Sequence, residues 1–199
     1  MPEQRLLAVL DTQAILGHGF LQFVTKLHIA GAVILRWSAA IRSEVDAKLE
    51  EKWSAERGDA TRVLLSQVPD GDLEVGEADF DLATGHCDDG DKHVLAAALA
   101  ASRAVASDPE VWQDTHVVLV TDNIRDFEID YASANGVIIL ERDEFGELLL
   151  SARPAAVLTV VDRHPPKRFD GLLERMRNDN MNRTADFIQS VIDQIEAEE

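Results

Sequence analysis

One cysteine, Cys87, in 199 residues leaves no partner for an intramolecular disulfide and no CxxC pair for zinc. Positive charge is scarce. Nineteen Lys and Arg face 37 Asp and Glu, a net charge of -18. A general nucleic-acid binder carries a basic surface, so any RNA contact here is expected to be local. The acidity suits a basic partner protein and also keeps the surface soluble. No apolar run approaches membrane-spanning length. Leu6-Leu7-Ala8-Val9-Leu10 is too short for the apolar core of a signal peptide followed by a cleavage site. The expected compartment is the cytoplasm, with no membrane partner. Internal repeats and low-complexity tracts are missing too.

What remains is ordinary globular stock, 46% hydrophobic and 28% charged, long enough for one sizeable domain and a small appendage. Four short apolar runs read as strands buried on both faces. They are Leu6 to Leu10, Ala32-Val33-Ile34-Leu35, Val117-Val118-Leu119-Val120 and Val137-Ile138-Ile139-Leu140. Helical spacing is predicted over about 14–27, then after Ser38, then over 60–68, 89–106, 129–134 and 145–150. Pro69-Asp70-Gly71-Asp72 is a turn, and residues 73–86 read as irregular and acidic. Past Arg153-Pro154 no strand pattern follows. Short helices over 157–161, 169–176 and 185–195 suggest a division into 1–152 and a helical extension, 153–199. Strands alternating with helices imply a three-layer α/β/α fold on a parallel sheet.

The organising stretch runs from Cys87 to Leu99. An acidic turn, Asp88-Asp89-Gly90-Asp91, leads into an alanine-rich helix with Asp88 as its expected N-cap. Asp91, Val94, Leu95, Ala98 and Leu99 share one helical face, so Asp91 heads the face that turns to the core. In the helix after Ser38, Trp37, Ile41, Val45 and Leu49 recur every four residues, and Glu44 borders that stripe. Asp46, Lys48, Glu50 and Glu51 are placed toward solvent. Asp11 ends the first strand and Asp122-Asn123 the third, with Asp126 shortly after. Ligands of such sheets bind outside the carboxyl ends of the strands. Acids gathered there repel one another unless a cation neutralises them. Oxygen ligands without Cys or His suit Mg²⁺ or Mn²⁺, ions that serve phosphodiester displacement. His86, Cys87 and His93 do not have zinc spacing.

Leu10-Asp11-Thr12, the Trp37…Ile41…Glu44-Val45 helix, Asp91 to Ala98, and Val120-Thr121-Asp122-Asn123-Ile124-Arg125-Asp126-Phe127 together resemble a PIN domain, the fold of metal-dependent ribonucleases. The similarity is greatest to VapC-type toxins of VapBC toxin–antitoxin pairs. It covers about residues 5–150, and the last motif carries it most specifically. The resemblance implies an Mg²⁺- or Mn²⁺-dependent endoribonuclease. Asp11 and Asp91 would ligate the metal, Glu44 would ligate it or orient water, and Asn123 or Asp126, flanked by Asp122, would complete the site. Thr12 and Thr121 would hydrogen-bond a carboxylate or phosphate, and Lys92 and Arg125 would meet the RNA backbone. A homodimer and a small antitoxin whose tail blocks the cleft are implied as well. The tail after residue 153 resembles the appended helices of a longer subgroup. Gln13, where the family usually has Asn, and the neutral Asn123 are departures. They motivate a second expectation, a catalytically weak PIN-like interaction module for protein or RNA. An unrelated phosphatase of the haloacid-dehalogenase type would need Asp where Gln13 stands.

Overall fold

Five residues of the first strand, Leu6 to Leu10, have no exposed face. That is possible only where helices cover both sides of a sheet. The computed structural model, which describes residues 5–162 and 166–198, has that form. A five-stranded, all-parallel sheet is flanked by helices in a three-layer α/β/α arrangement. Its strands are β1 (Arg5–Leu10), β2 (Ile34–Ser38), β3 (Asp72–Leu73), β4 (Thr115–Val120) and β5 (Val137–Leu140), in the order β3-β2-β1-β4-β5. The chain builds outward from β1 through β2 to β3, then crosses back to add β4 and β5. The topological switch therefore lies between β1 and β4, where Leu10 pairs with Val120.

Several elements differ from the sequence reading. The first helical stretch is two helices, α1 (Thr12–Leu16) and α2 (His18–Ile29), broken at Gly17. Strand β2 begins two residues later than predicted and runs to Ser38, whose hydroxyl accepts from the Ile41 amide to cap α3 (Ala39–Lys52). The next helix, α4 (Ala55–Ser66), starts earlier because Ser54 caps it through the Arg57 amide. The acidic segment 73–86 is not irregular throughout. It holds part of edge strand β3 and a short helix, α5 (Glu77–Ala83).

Helix α6 (Lys92–Ser107) carries the crossover to β4. Eight consecutive residues, Val94 to Ala101, are buried, not one face as predicted. The reason is α5, which packs on the outer side of α6. Asp79 of α5, fully buried, accepts from the Gly76 amide and from Arg103 of α6, at 2.9 and 2.8 Å. The expected cap Asp88 makes no side-chain cap bond. A single 3₁₀ turn, Asp89–Asp91, precedes α6 instead.

The C-terminal helices are α7 (Ile129–Ala134), α8 (Arg142–Ala152), α9 (Pro154–Asp162), α10 (Pro166–Asn178) and α11 (Asn182–Glu198). Leu172, Leu173 and Met176 of α10, Met181 of the turn after it, and Ala185 and Ile188 of α11 are buried in the same apolar cluster as Phe20 of α2 and Phe145 of α8. The helices beyond residue 153 thus share the sheet's core. Helix α10 lies against α2 so closely that a Cβ on Gly19 would stand 2.5 Å from the backbone of Arg175 and Met176.

Candidate active site

The amide of Asp11 donates to the Val120 carbonyl at 3.1 Å, one step past the β1–β4 ladder. This sets Asp11 and Thr121 side by side at the switch point. The fully buried Thr121 hydroxyl donates to Asp11 Oδ2 at 2.8 Å and accepts from the Asn123 amide at 3.1 Å. One hydroxyl thereby fixes both the carboxylate and the loop after β4. Asp11 is only 4% exposed. Burial raises its carboxyl above the ordinary range, and the charge of Glu44 adds to this. The bonds from Thr121 and from the Thr12 amide pull the other way.

Glu44 projects from α3 to meet α1 and α6. Its Oε2 accepts from the Thr12 hydroxyl at 2.7 Å and meets His93 Nε2 at 3.0 Å, while Oε1 pairs with Lys48 Nζ at 2.6 Å. Burial opposes its charge. The Lys48 and Thr12 bonds, with the nearby Lys48 and His93, outweigh burial and hold it below the ordinary range.

Asp91 ends the 3₁₀ turn before α6 and is half-buried. Burial raises its carboxyl, and the charges of Asp11 and Asp126 raise it further. Asp126 is brought there by main chain. Its amide closes a turn on the Asn123 carbonyl at 3.0 Å, and its carbonyl accepts from the Asp88 amide at 3.0 Å. The Glu128 amide in turn donates to the His86 carbonyl at 2.9 Å, so residues 86–88 and 126–128 are sewn together. Outside this seam the His86 ring pairs with Glu128 and stacks on Tyr131, with 3.5 Å between ring centres.

Of the expected site residues, Asp11, Glu44, Asp91 and Asp126 converge, and Thr12 and Thr121 each bond one of them. Asp122 does not join. Its carboxylate takes both arms of the largely buried Arg142 of α8, with Nε to Oδ1 at 3.0 Å, so it turns away from the acids. Lys92 is also redirected, to Asp89 at 2.8 Å. Arg125 is exposed. Asn123 is exposed too and contributes to the site through its main chain. Two further participants are Lys48, which sequence reasoning placed toward solvent, and His93, which it placed against the helix or in the groove without a partner. Lys48 lies four residues after Glu44 on one helix, the spacing at which Glu and Lys pair, so its signal was present.

The donors available to a metal are oxygens, from Asp11, Asp91 and Asp126, and their mutual repulsion is of the kind a hard divalent cation relieves. Among the described residues, no three or more His, Cys, Asp or Glu side chains stand close enough together to hold an ion by themselves. Carboxylate oxygens are the donors that suit an ion such as Mg²⁺, which takes one or two of them and keeps several waters. Among the described residues they do not form a closed all-protein cage. No family model, curated protein or solved structure matches this chain. No helix among the described residues is long and apolar enough to cross a membrane.

Proposed function

We propose that this chain is a PIN-like, Mg²⁺- or Mn²⁺-dependent endoribonuclease, the toxin of a type II toxin–antitoxin pair acting in the cytoplasm. The observation that carries this reading is the placement of Asp11, Asp91 and Asp126 at the carboxyl edge of a parallel sheet, where burial raises the Asp91 carboxyl and the charges of Asp11 and Asp126 raise it further. Uncompensated acids cost stability, and such a cost is commonly kept where function needs it. Asp11 and Asp91 would hold the ion, in part through its own waters, with Asp126 beside them, and the ion when bound would supply a Lewis acid and an activated water.

The protein's own groups have separate tasks. Thr121 locks the Asp11 carboxylate in one orientation. Thr12 and His93 fix Glu44 Oε2, so that Glu44 presents a steady negative charge for orienting water. Exposed Arg125 lies one residue from Asp126 and can meet a backbone phosphate. A small antitoxin with a basic residue reaching these acids would complement the cleft. A homodimer belongs to the same reading.

The test is cleavage of a mixed RNA pool by the full chain, purified free of partners, in Mg²⁺, Mn²⁺ or EDTA, beside the Asp11→Asn and Asp91→Asn variants. Cutting that needs the ion and both aspartates is the expected result. Equal cutting by variant and wild type overturns the assignment. One observation favours a second reading, an interaction module of weak activity: Lys48, His93 and Thr12 already engage Glu44. A folded protein that binds neither ion in calorimetry and cuts nothing would establish that reading instead.

A further inference from the structure

The α1–α2 turn, just beyond the acids, gathers positive charge in an otherwise acidic chain. Helix α2 lies between α4 and α10, and His18 opens it at Gly17. Arg57 of α4 reaches the turn, donating to the Leu16 carbonyl at 3.4 Å, with its guanidinium 3.3 Å from the centre of the Trp53 ring. Arg175 of α10 comes from the other side and donates to Gln22 Oε1 at 2.8 Å, one helical turn after His18. Neither arginine forms an ion pair with a carboxylate among the described residues, although the chain has 37 acids. Burial lowers the basicity of His18, and the charges of Arg175 and Arg57 lower it further.

The nearest acid, Asp179, is committed elsewhere. Its Oδ2 accepts from the Gly19 and Phe20 amides and its Oδ1 faces Arg142. His18 Nδ1 and Arg175 Nε are buried without a partner. With Nη2 of Arg57 and of Arg175 given to Leu16 and Gln22, Nη1 of each guanidinium and His18 Nε2 remain for a ligand. Two arginines, a histidine and a stacked tryptophan without a counter-ion form a receptor for a phosphate. The site is separate from the acids but linked to them by α1, five residues that rise about 7 Å.

The geometry points to Arg57, Arg175 and His18 as a backbone-phosphate subsite for single-stranded RNA, which holds the strand across α1 as it enters the acidic cleft. This rests on the ribonuclease reading for the identity of the polyanion. It also explains how a chain of charge -18 engages RNA at all. Attraction is concentrated at one turn, and Trp53 adds an aromatic face beside it.

The test measures binding of a fluorescein-labelled oligouridylate to the full-length protein in EDTA, by anisotropy across a salt series. The variants are Arg57→Gln with Arg175→Gln, the same pair changed to Lys, and a charge-matched control of Arg42→Gln with Arg62→Gln. Thermal melts establish that each is folded. The glutamine pair is expected to bind about tenfold more weakly and to flatten the log–log salt slope by about 1. The lysine pair should keep most of the slope, and the Arg42→Gln, Arg62→Gln control all of it. An unchanged slope in the glutamine pair, or an equal loss in the control, overturns the subsite. If that happens while wild type still cuts RNA, the ribonuclease reading survives alone. A cluster-dependent slope with no cleavage in any ion keeps the subsite and sinks the nuclease. Failure of wild type to bind the oligouridylate, with or without cluster-dependent binding of oligoglutamate, overturns the RNA assignment.

Discussion

Asp179, in the turn between the last two helices, caps Gly19 at the start of α2, accepting its amide at 2.7 Å across 160 positions of chain. The Phe20 amide donates to the same oxygen at 3.0 Å. A reciprocal cap runs the other way. Asp143 of α8 accepts from the amides of Arg183 and Thr184 at the start of α11. The C-terminal helices and the sheet domain thus complete each other's helix ends, and each end would otherwise leave unpaired donors. Asp179→Ala is expected to cost about 1–2 kcal/mol, the usual worth of a helix cap, read by urea denaturation. An unchanged midpoint would mean that the cap contributes nothing.

Close approach of α10 to α2 predicts a larger effect at Gly19. A methyl group there meets the main chain of Arg175 and Met176, which cannot rotate aside. Gly19→Ala should destabilise by about 2 kcal/mol through overpacking. The same urea experiment checks it.

Asp122 and the acids of the proposed metal site are expected to separate cleanly. Removing the charge of Asp122 leaves Arg142, about 10% exposed at its side chain, with Asp179 at 3.8 Å as its remaining acid. Asp122→Asn should cost about 2 kcal/mol yet preserve the rise in melting temperature on adding Mg²⁺. Asp11→Asn should abolish that rise. Differential scanning fluorimetry with and without the ion distinguishes the two.

Asp11 and Asp91 hold their protons more tightly folded than unfolded. Their contribution to stability is therefore complete below the ordinary carboxylate range and is lost as pH rises through their raised folded values. Asp11→Asn removes its share of that loss. It should be more stable than wild type at pH 7, by about 1 kcal/mol, with the difference shrinking as pH falls toward the ordinary carboxylate range. Denaturation midpoints of the two proteins over a pH series measure this, and a constant difference would contradict it.

Cys87 is half-buried, and burial with the nearby Asp91 pushes its thiol up to about 11. Since the thiolate is the nucleophile, alkylation by iodoacetamide at pH 8 should run roughly a hundredfold slower than for a free thiol. Mass spectrometry of timed aliquots gives the rate.

Much of this architecture was legible because it rests on local pattern. Short continuous apolar runs alternating with helices fit a two-sided parallel sheet, and carboxylates placed just after such runs fall at its carboxyl edge. Asp11 and Asp126 were placed at that edge in this way, and Asp91 and Glu44 by their positions on helix faces. Other features depend on contacts between distant segments. Asp122 looked like a ligand by position, but whether its carboxylate turned to the cleft or to Arg142 depended on where α8 docks. Segment 73–86 looked irregular because α5 is short and acidic, and packing on α6 sustains it. The tail looked like an appendage because its amphipathic helices carry no mark of which surface they cover.

By itself the sequence determined the alternation of strand and helix, the two-sided burial of the sheet and the placement of acids at strand ends, because these follow from periodicity and residue type within a few positions. Only the tertiary structure decided which acids face one another, which arginine quenches Asp122, that Lys48 and His93 hold Glu44, and that Arg57 and Arg175 flank His18. Hydrogen bonds and charge pairs act over a few ångströms in space, and folding alone brings residues 11 and 121, or 19 and 179, within that reach.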